Sequence, residues 1–209
     1  MEMQAPCGEC RPPTHSKSLL RAEILARRKA LTSEEIADRS SIAGDHLFST
    51  PEFAAARVVM FFVTFGSEIQ TLPMIARALV DRKHVAAPRA ERSTRSLVPG
   101  EITDPSCDLA PGAHHILEPG PQCAVIEPHL LDVVIVPAAV WAEDGYRLGY
   151  GAGYYDRFLS RNPRAMRIGL GLEVQVVPCV PHDAHDLPVD VLVTDAGVRR
   201  YSHRSGAHD

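Results

Sequence analysis

Apolar residues recur at helical spacing soon after Ser16. In KSLLRAEILARRKAL, Leu20, Ile24 and Leu31 share one face and charged residues crowd the other. That periodicity predicts an amphipathic helix over 17–30, with Ser16 as its N-cap. Thr32 followed by Glu35 has the capping-box pattern, and Ile36, Ala43 and Leu47 carry a second helix onward. The pattern then changes character. Residues 57–63, RVVMFFV, are continuously apolar rather than alternating, which predicts a strand covered on both faces, as in a parallel sheet. Thr71 is expected to cap a helix through Leu72–Asp81, with Pro73 tolerated in its first turn. Further short strands are predicted at His84–Ala87, Asp132–Val136, Arg167–Leu172 and Val189–Val193, and a helix at Tyr154–Arg161. Residues 89–131 show no sustained period and read as short strands and turns.

Strands alternating with helices imply a single α/β domain: a mainly parallel, right-handed twisted sheet flanked by helices, Rossmann-like in architecture. In such sheets ligands collect at the carboxyl ends of the strands, near the point where strand order reverses. Residues 1–15 are polar and proline-bearing and are expected to be a disordered leader. The domain is expected to occupy 16–198, and 199–209 a flexible tail.

Composition narrows the function classes. A chain of 209 residues, 45% hydrophobic and 23% charged, is globular and fits one domain. Its net charge of −4 argues against bulk nucleic-acid binding, which needs a basic face. The distribution is uneven: residues 1–100 carry 14 Lys and Arg against 11 Asp and Glu, while 101–209 carry 8 against 15. Such halves suit a ligand with phosphates and a divalent metal, or simply attract each other. The longest apolar run, Val133 to Ala142, has ten residues and contains Pro137, too short for a membrane span. Without a signal-peptide pattern, the expected location is the cytoplasm, with no membrane partner. The cysteines, Cys7, Cys10, Cys107, Cys123 and Cys179, are odd in number and scattered, so no disulfide framework is implied. Cys7 and Cys10 form a C-x-x-C, but a four-ligand zinc site needs a second pair.

The most informative segment runs Arg147-Leu148-Gly149-Tyr150-Gly151-Ala152-Gly153-Tyr154-Tyr155-Asp156-Arg157. Alternate glycines let backbone N–H groups approach an anion closely, and the helix that follows would add its dipole and free donors. It is neither a Walker A loop nor a G-x-G-x-x-G fingerprint. By spacing alone it serves equally as a glycine-rich turn packing a helix onto the sheet. Lys17 and Arg21, four apart, lie on one helix face about 6 Å apart along the axis. By themselves they are a solvated basic face, Glu68 an exposed loop glutamate, Asp156 a stabiliser of a helix N-terminus and Asp190 a turn aspartate. His185 and Asp186 read as a cap for the last strand, and Trp141 as packing.

With its flanks, VPAAVWAEDGYRLGYGAGYYDRFLSR resembles the 5-formyltetrahydrofolate cyclo-ligase (5,10-methenyltetrahydrofolate synthetase) family, whose pattern is a strand ending in Pro, an acidic-Gly turn, then R-L-G-x-G-x-G-Y-Y-D. The resemblance spans about 17–195, with KSLLR, FGSEIQT, and Gln175 with HDLPVDVLVTD in family order. It implies an enzyme that uses ATP and Mg²⁺ to close 5-formyltetrahydrofolate to 5,10-methenyltetrahydrofolate, releasing ADP and phosphate, with no nucleophilic side chain required. Residues implied for ATP are Lys17, Arg21, Arg147, Leu148, Gly149, Tyr150, Gly151, Ala152, Gly153, Tyr154 and Tyr155, with Arg147 as a third cation. For the folate they are Val63, Glu68, Tyr150, Gly151, Ala152, Gly153 and Tyr154. Asp156 is implied for the metal, and Asp190 in VDVLV is a candidate second carboxylate. The expected partners are these two small molecules, on a monomer or weak homodimer. One departure stands out: Ala152 occupies a position where many relatives carry Lys or Gly, and it fits only if that position needs no positive φ. That departure leaves open a divergent relative that binds a nucleotide and another heterocycle, or a non-catalytic folate- or nucleotide-binding module.

Overall fold

Helix starts come first in the chain and follow local chemistry. The computed structural model describes residues 16–112, 116–183 and 185–203, so Cys7 and Cys10 lie outside the described residues. Helix α1 (Lys17–Lys29) begins where Ser16 Oγ accepts the Leu19 N–H at 3.3 Å. Helix α2 (Ser33–Ser49) begins with the expected reciprocal box: Glu35 N–H donates to Thr32 Oγ1 at 3.1 Å, and Thr32 N–H to Glu35 Oε2 at 2.7 Å. A short helix α3 (Pro51–Ala55) then leads into strand β1 (Val58–Met60). The entry to β1 is fixed by Asp132, whose Oδ2 accepts the N–H groups of Arg57 and Val58 at 2.8 and 2.9 Å.

Strand β1 is shorter than its apolar run predicts. Phe61, Phe62 and Val63 are buried, and Phe61 N–H still donates to Ala86 O at 2.9 Å, but the regular ladder ends at Met60. An apolar run reports burial, not pairing, and these residues carry the chain off the sheet into a loop. That loop is closed by Thr64 and Thr71. Thr64 N–H donates to Thr71 Oγ1 at 3.1 Å, Thr71 N–H to Thr64 Oγ1 at 2.7 Å, and Thr64 Oγ1 to Ile69 O at 2.8 Å. Thr71 therefore does not cap the next helix, α4 (Leu72–Val80), as expected from sequence; its hydroxyl is committed backward across the loop.

Strand β2 (His84–Glu91) continues past its predicted end and turns into the antiparallel β3 (Ser96–Ile102). After a one-turn helix, α5 (Pro105–Asp108), strands β4 (Leu109–Pro111) and β5 (Leu117–Pro119) pair antiparallel. Then follow β6 (Val133–Val136), β7 (Val140–Ala142), β8 (Arg147–Leu148), α6 (Tyr154–Arg161), β9 (Met166–Leu170), β10 (Val176–Val177), β11 (Val191–Thr194) and β12 (Gly197–Arg200).

The main sheet has the order β12-β11-β9-β6-β1-β2-β3. Its interior pairs are parallel, and β12 and β3 close the two edges antiparallel. A small second sheet, β10-β7-β8, stands beside it. Strand β6 shows why its apolar run does not alternate. Val133 and Ile135 pack into one core with Leu47, Phe53 and Ile75, while Val134 and Val136 pack into another with Trp141, Phe158 and Leu159. Both faces of the sheet are thus covered by helices or connections. Gln175 is part of this framework: Nε2 donates to Ala138 O and Ala139 O, and Oε1 accepts Leu172 N–H. No helix among the described residues is long and apolar enough to cross a membrane.

The threonine pair is open to a direct test. Thr71→Val keeps the shape but leaves the Thr64 N–H without its acceptor, and should lower stability by about 1–3 kcal/mol. Urea unfolding would show this as a lower midpoint at unchanged slope.

Candidate active site

The chain leaves β1 toward β2 on one side, while β6 leads to β9 on the other, so strand order reverses between the neighbours β1 and β6. Loops after these two strands diverge and leave a cleft, as expected at such a switch point. The cavity there measures about 680 Å³, within the range of small-molecule sites. It is lined by Lys17 and Arg21 from α1, by Val63 and Glu68 after β1, and by every residue from Arg147 to Asp156. Phe62, Phe65, Pro88, Leu97 and Leu117 supply an apolar wall. Of the residues named above for ATP, the folate or the metal, only Asp190 is absent from this lining.

The basic pair of α1 is not a free solvated face. Arg21 Nε donates to Gly149 O at 2.8 Å, so α1 grips the start of the glycine loop. Lys17 Nζ donates to Asp183 Oδ2 at 2.8 Å and to Asp186 Oδ2 at 3.3 Å. The bond to Asp183 is the main cause of a Lys17 pKa above the usual lysine value, against partial desolvation. Within the loop, Gly151 has φ +101° and Gly153, the residue before α6, has φ +65°. Ala152 between them is not in the left-handed region; among described non-glycine residues only Arg82 and Arg95 are. An alanine therefore fits without strain. Arg157 holds the loop from the other side, with Nη2 donating to Ala152 O at 2.7 Å and Nε to Arg95 O at 3.0 Å.

Arg147 corrects an expectation. It is 7% exposed, its Nη2 lies 2.8 Å from Asp156 Oδ1, and its Nη1 donates to Leu187 O. Burial pulls its pKa below the ordinary arginine value, and Asp156 opposes that shift. Its charge is engaged by Asp156, so it is not a spare third cation for a ligand. Asp156 itself lines the cleft with its carboxylate partly open.

Asp190 is the second correction. Its Oδ2 accepts the Arg167 N–H at 2.8 Å, just before the start of β11. That is the amino end of a parallel strand, whereas α/β clefts open at carboxyl ends. The carboxylate that does reach the cleft is Asp186, which sequence reasoning treated as a strand cap. Asp156 and Asp186 are both partly exposed there, and among the described residues no three His, Cys, Asp or Glu cluster as a metal site. The pair fits Mg²⁺ rather than a fully caged ion, since Mg²⁺ takes one or two carboxylates and completes its shell with phosphate oxygens and water.

Glu68 is not an exposed loop glutamate. It is 6% exposed, with Oε1 accepting the Tyr150 hydroxyl proton and Oε2 the Phe65 N–H at 3.0 Å. Burial lifts its pKa above the usual carboxylate value; the Tyr150 bond, the Phe65 N–H and the charge of Arg28 oppose the rise. The Tyr150 hydroxyl also accepts from Arg28 Nη1 and Nη2, both at 3.2 Å. Sequence reasoning passed over Arg28, although its register gives the signal: it stands four residues after Ile24, on the apolar face. Burial raises the pKa of Tyr155 as well, and its hydroxyl has no hydrogen-bond partner among the described residues. Tyr154 lines the cleft beneath the Arg157 guanidinium, 5.5 Å from its ring centre.

Comparison with known proteins is consistent in one direction. The profile of the 5-formyltetrahydrofolate cyclo-ligase family matches residues 13–195. The chain is similar to the 5-formyltetrahydrofolate cyclo-ligase of Escherichia coli K12, 29% identical over 178 residues that cover 84% of this chain and 98% of that protein. It is 28% identical to the Mus musculus 5-formyltetrahydrofolate cyclo-ligase, over 87% of this chain and 95% of that one. The solved structure of Aquifex aeolicus 5,10-methenyltetrahydrofolate synthetase aligns with a TM-score of 0.78 at 33% identity, covering 92% of this chain and 99% of that chain.

The loop geometry predicts unequal tolerance at adjacent positions. Gly153→Ala forces a side chain into the left-handed region and sets its Cβ about 2.9 Å from Arg157 Nη1. It should lose about 1–3 kcal/mol. Ala152→Gly should lose no more than about 1 kcal/mol, from backbone entropy alone. Thermal unfolding of the two variants side by side checks the order.

Proposed function

The chain belongs to the 5-formyltetrahydrofolate cyclo-ligase family, and from that premise we propose that it converts 5-formyltetrahydrofolate and ATP to 5,10-methenyltetrahydrofolate, ADP and phosphate. One observation carries the assignment above the others. A single cleft joins a cation-flanked glycine loop at the N-terminus of α6 to a buried carboxylate with free acceptor capacity. The first suits phosphates; the second suits the N–H groups of a pterin-type ring.

The chemistry asks the protein for positioning and charge neutralisation more than for a reactive side chain. The N5-formyl carbon is amide-like and poorly electrophilic. Its oxygen attacks the γ-phosphorus and ADP leaves, giving an iminium phosphate. N10 then adds to that carbon and loses its proton, and the C–O bond breaks as phosphate departs with the formyl oxygen. Lys17, Arg21 and the N–H groups of the glycine loop bind and align the triphosphate. Glu68 orients the folate by accepting ring N–H donors, and Val63 with the apolar wall excludes water from the reacting carbon. Arg147 acts from behind, fixing Asp156. Asp156 and Asp186 would hold Mg²⁺, which when bound neutralises phosphate charge.

The deciding assay follows ATP consumption and the absorbance of the methenyl product together. Both signals should depend on 5-formyltetrahydrofolate. ATP hydrolysis only with another heterocycle, or neither signal, overturns the assignment. Within the active enzyme, Glu68→Gln places a donor where an acceptor is needed. Loss of a hydrogen bond to a charged group, about 1.5–3 kcal/mol, should raise the KM for the folate about 10- to 150-fold and leave ATP affinity nearly unchanged. If ATP affinity falls instead, the two halves of the site are reversed.

The two aspartates separate by a different measurement. Asp186→Asn should raise the Mg²⁺ concentration needed for half-maximal rate. Asp190→Asn should leave that titration in place and lower stability, because it weakens the bond to the Arg167 N–H. The opposite pairing of results would restore Asp190 to the metal and remove Asp186.

A further inference from the structure

Arg28 is an arginine on the buried face of an otherwise amphipathic helix. It shares that face with Leu20 and Ile24, and only 4% of its surface is exposed. A guanidinium taken out of water is usually matched by a carboxylate held directly against it. Here its hydrogen bonds run to hydroxyl groups: Nε to Ser67 Oγ at 3.1 Å, and both terminal nitrogens to Tyr150. The carboxylate comes one group further on. A guanidinium can only donate, so the Tyr150 oxygen is the acceptor and its single proton is directed to Glu68 Oε1. Cation, phenol and carboxylate form a chain with one polarity, running from α1 through the glycine loop to the loop after β1.

We propose that Arg28, acting through Tyr150, is the positioning residue for Glu68: it favours the charged carboxylate and holds it aimed into the cleft, ready to accept N–H donors from a flat heterocycle. The same contact pins the glycine loop to the folate half of the site. This rests on the assignment of Glu68 to the folate. It explains why a costly buried cation is placed near a carboxylate whose charge burial disfavours. It also leaves room for the ligand, since each carboxylate oxygen can accept two hydrogen bonds and each has one donor among the described residues.

The groups that face Glu68 come from four directions. Arg28 comes from α1, Tyr150 from the glycine loop, the Phe65 N–H from its own loop, and the Tyr155 phenol, which feels the Glu68 charge, from α6. Of these only Arg28 carries positive charge. Burial already sets the net direction, and without Arg28 the carboxyl would take up its proton at higher pH still. A protonated Glu68 can no longer accept at both oxygens, so folate binding should fail on the acid side sooner.

The test uses the full chain labelled with carboxyl-¹³C glutamate, with the Glu68 signal identified by its loss in Glu68→Gln. Its titration midpoint, measured without ligand, should rise in Arg28→Met and in Tyr150→Phe, and return toward the parent value in Arg28→Lys. In Arg28→Met the KM for 5-formyltetrahydrofolate should rise about tenfold or more, and by more than the KM for ATP, which feels only the loosened loop. The acid limb of kcat/KM for the folate should move up with the midpoint. A merely structural Arg28 would lower stability without moving that limb. A midpoint equal to the parent's in both Arg28→Met and Tyr150→Phe overturns the proposal. A raised midpoint with an unchanged folate KM upholds the hold on Glu68 and overturns its assignment to the folate. Should Arg28→Met fail to fold, the exposed loop substitution Tyr150→Phe decides by the same midpoint.

Discussion

Strands β1 and β6 lie side by side and parallel, and the connections that follow them leave in opposite directions. The cleft described above is hung from that divergence. The loop after β1 carries Val63 and Glu68; the chain after β6 runs through Pro137 and the small sheet to the glycine loop and α6. Helix α1 precedes the whole sheet in the chain, yet it returns to this gap because Leu20 and Ile24 pack with Ala139, Val140 and Leu148 of the small sheet. Burial of that apolar face is what delivers Lys17 and Arg21 to the cleft and Arg28 to the Tyr150 hydroxyl. The site is therefore a product of packing more than of local sequence.

The cleft also shows how a protein keeps charge ready without leaving it unpaired. Lys17 is matched by Asp183 and Asp186, Arg147 by Asp156, and Arg28 by Glu68 through a phenol. These pairs differ in how easily they come apart. Lys17 and Asp183 are partly and largely exposed, so their pairing contributes little and is easily separated. Arg147 is buried, and separating it from Asp156 would strand a cation in a dry place. Lys17 is therefore the cation whose partner is easiest to exchange, and Arg147 the one most firmly held.

What the sequence makes legible follows the range of the interaction. Ser16, the Thr32–Glu35 box and helix α6 depend on neighbours within four residues, and each sits where expected. Thr71 has the chemistry of a cap but spends its hydroxyl on Thr64, seven residues back, which local pattern does not encode. The apolar run at 57–63 marks burial correctly and pairing incorrectly, because a residue can be buried in a loop that leaves the sheet. Asp186 and Asp190 lie four residues apart and look alike. Only the direction of β11 shows that one reaches the cleft and the other serves the far end of the strands. Arg28 and Tyr150 are 122 residues apart, and no local pattern links them.

The glycine loop poses a physical problem that the surrounding residues resolve. Gly149, Gly151 and Gly153 give a backbone with wide conformational freedom, and freedom lost on binding subtracts from affinity. Three tethers reduce it beforehand. Arg21 fixes Gly149 O from α1, Arg157 fixes Ala152 O from α6, and Tyr150 is held by Glu68 and Arg28 across the cleft. Because the tethers pull from separate elements, the loop is held in shape with Tyr150 the one side chain of its own that takes part. This is also why Ala152 is compatible with the site. A lysine there would add charge, but the conformation that presents the N–H groups is set by φ at Gly151 and Gly153 and by the flanking arginines. Preorganisation of the loop thus depends on residues outside the motif, and substitutions in α1 should alter loop behaviour as much as substitutions within it.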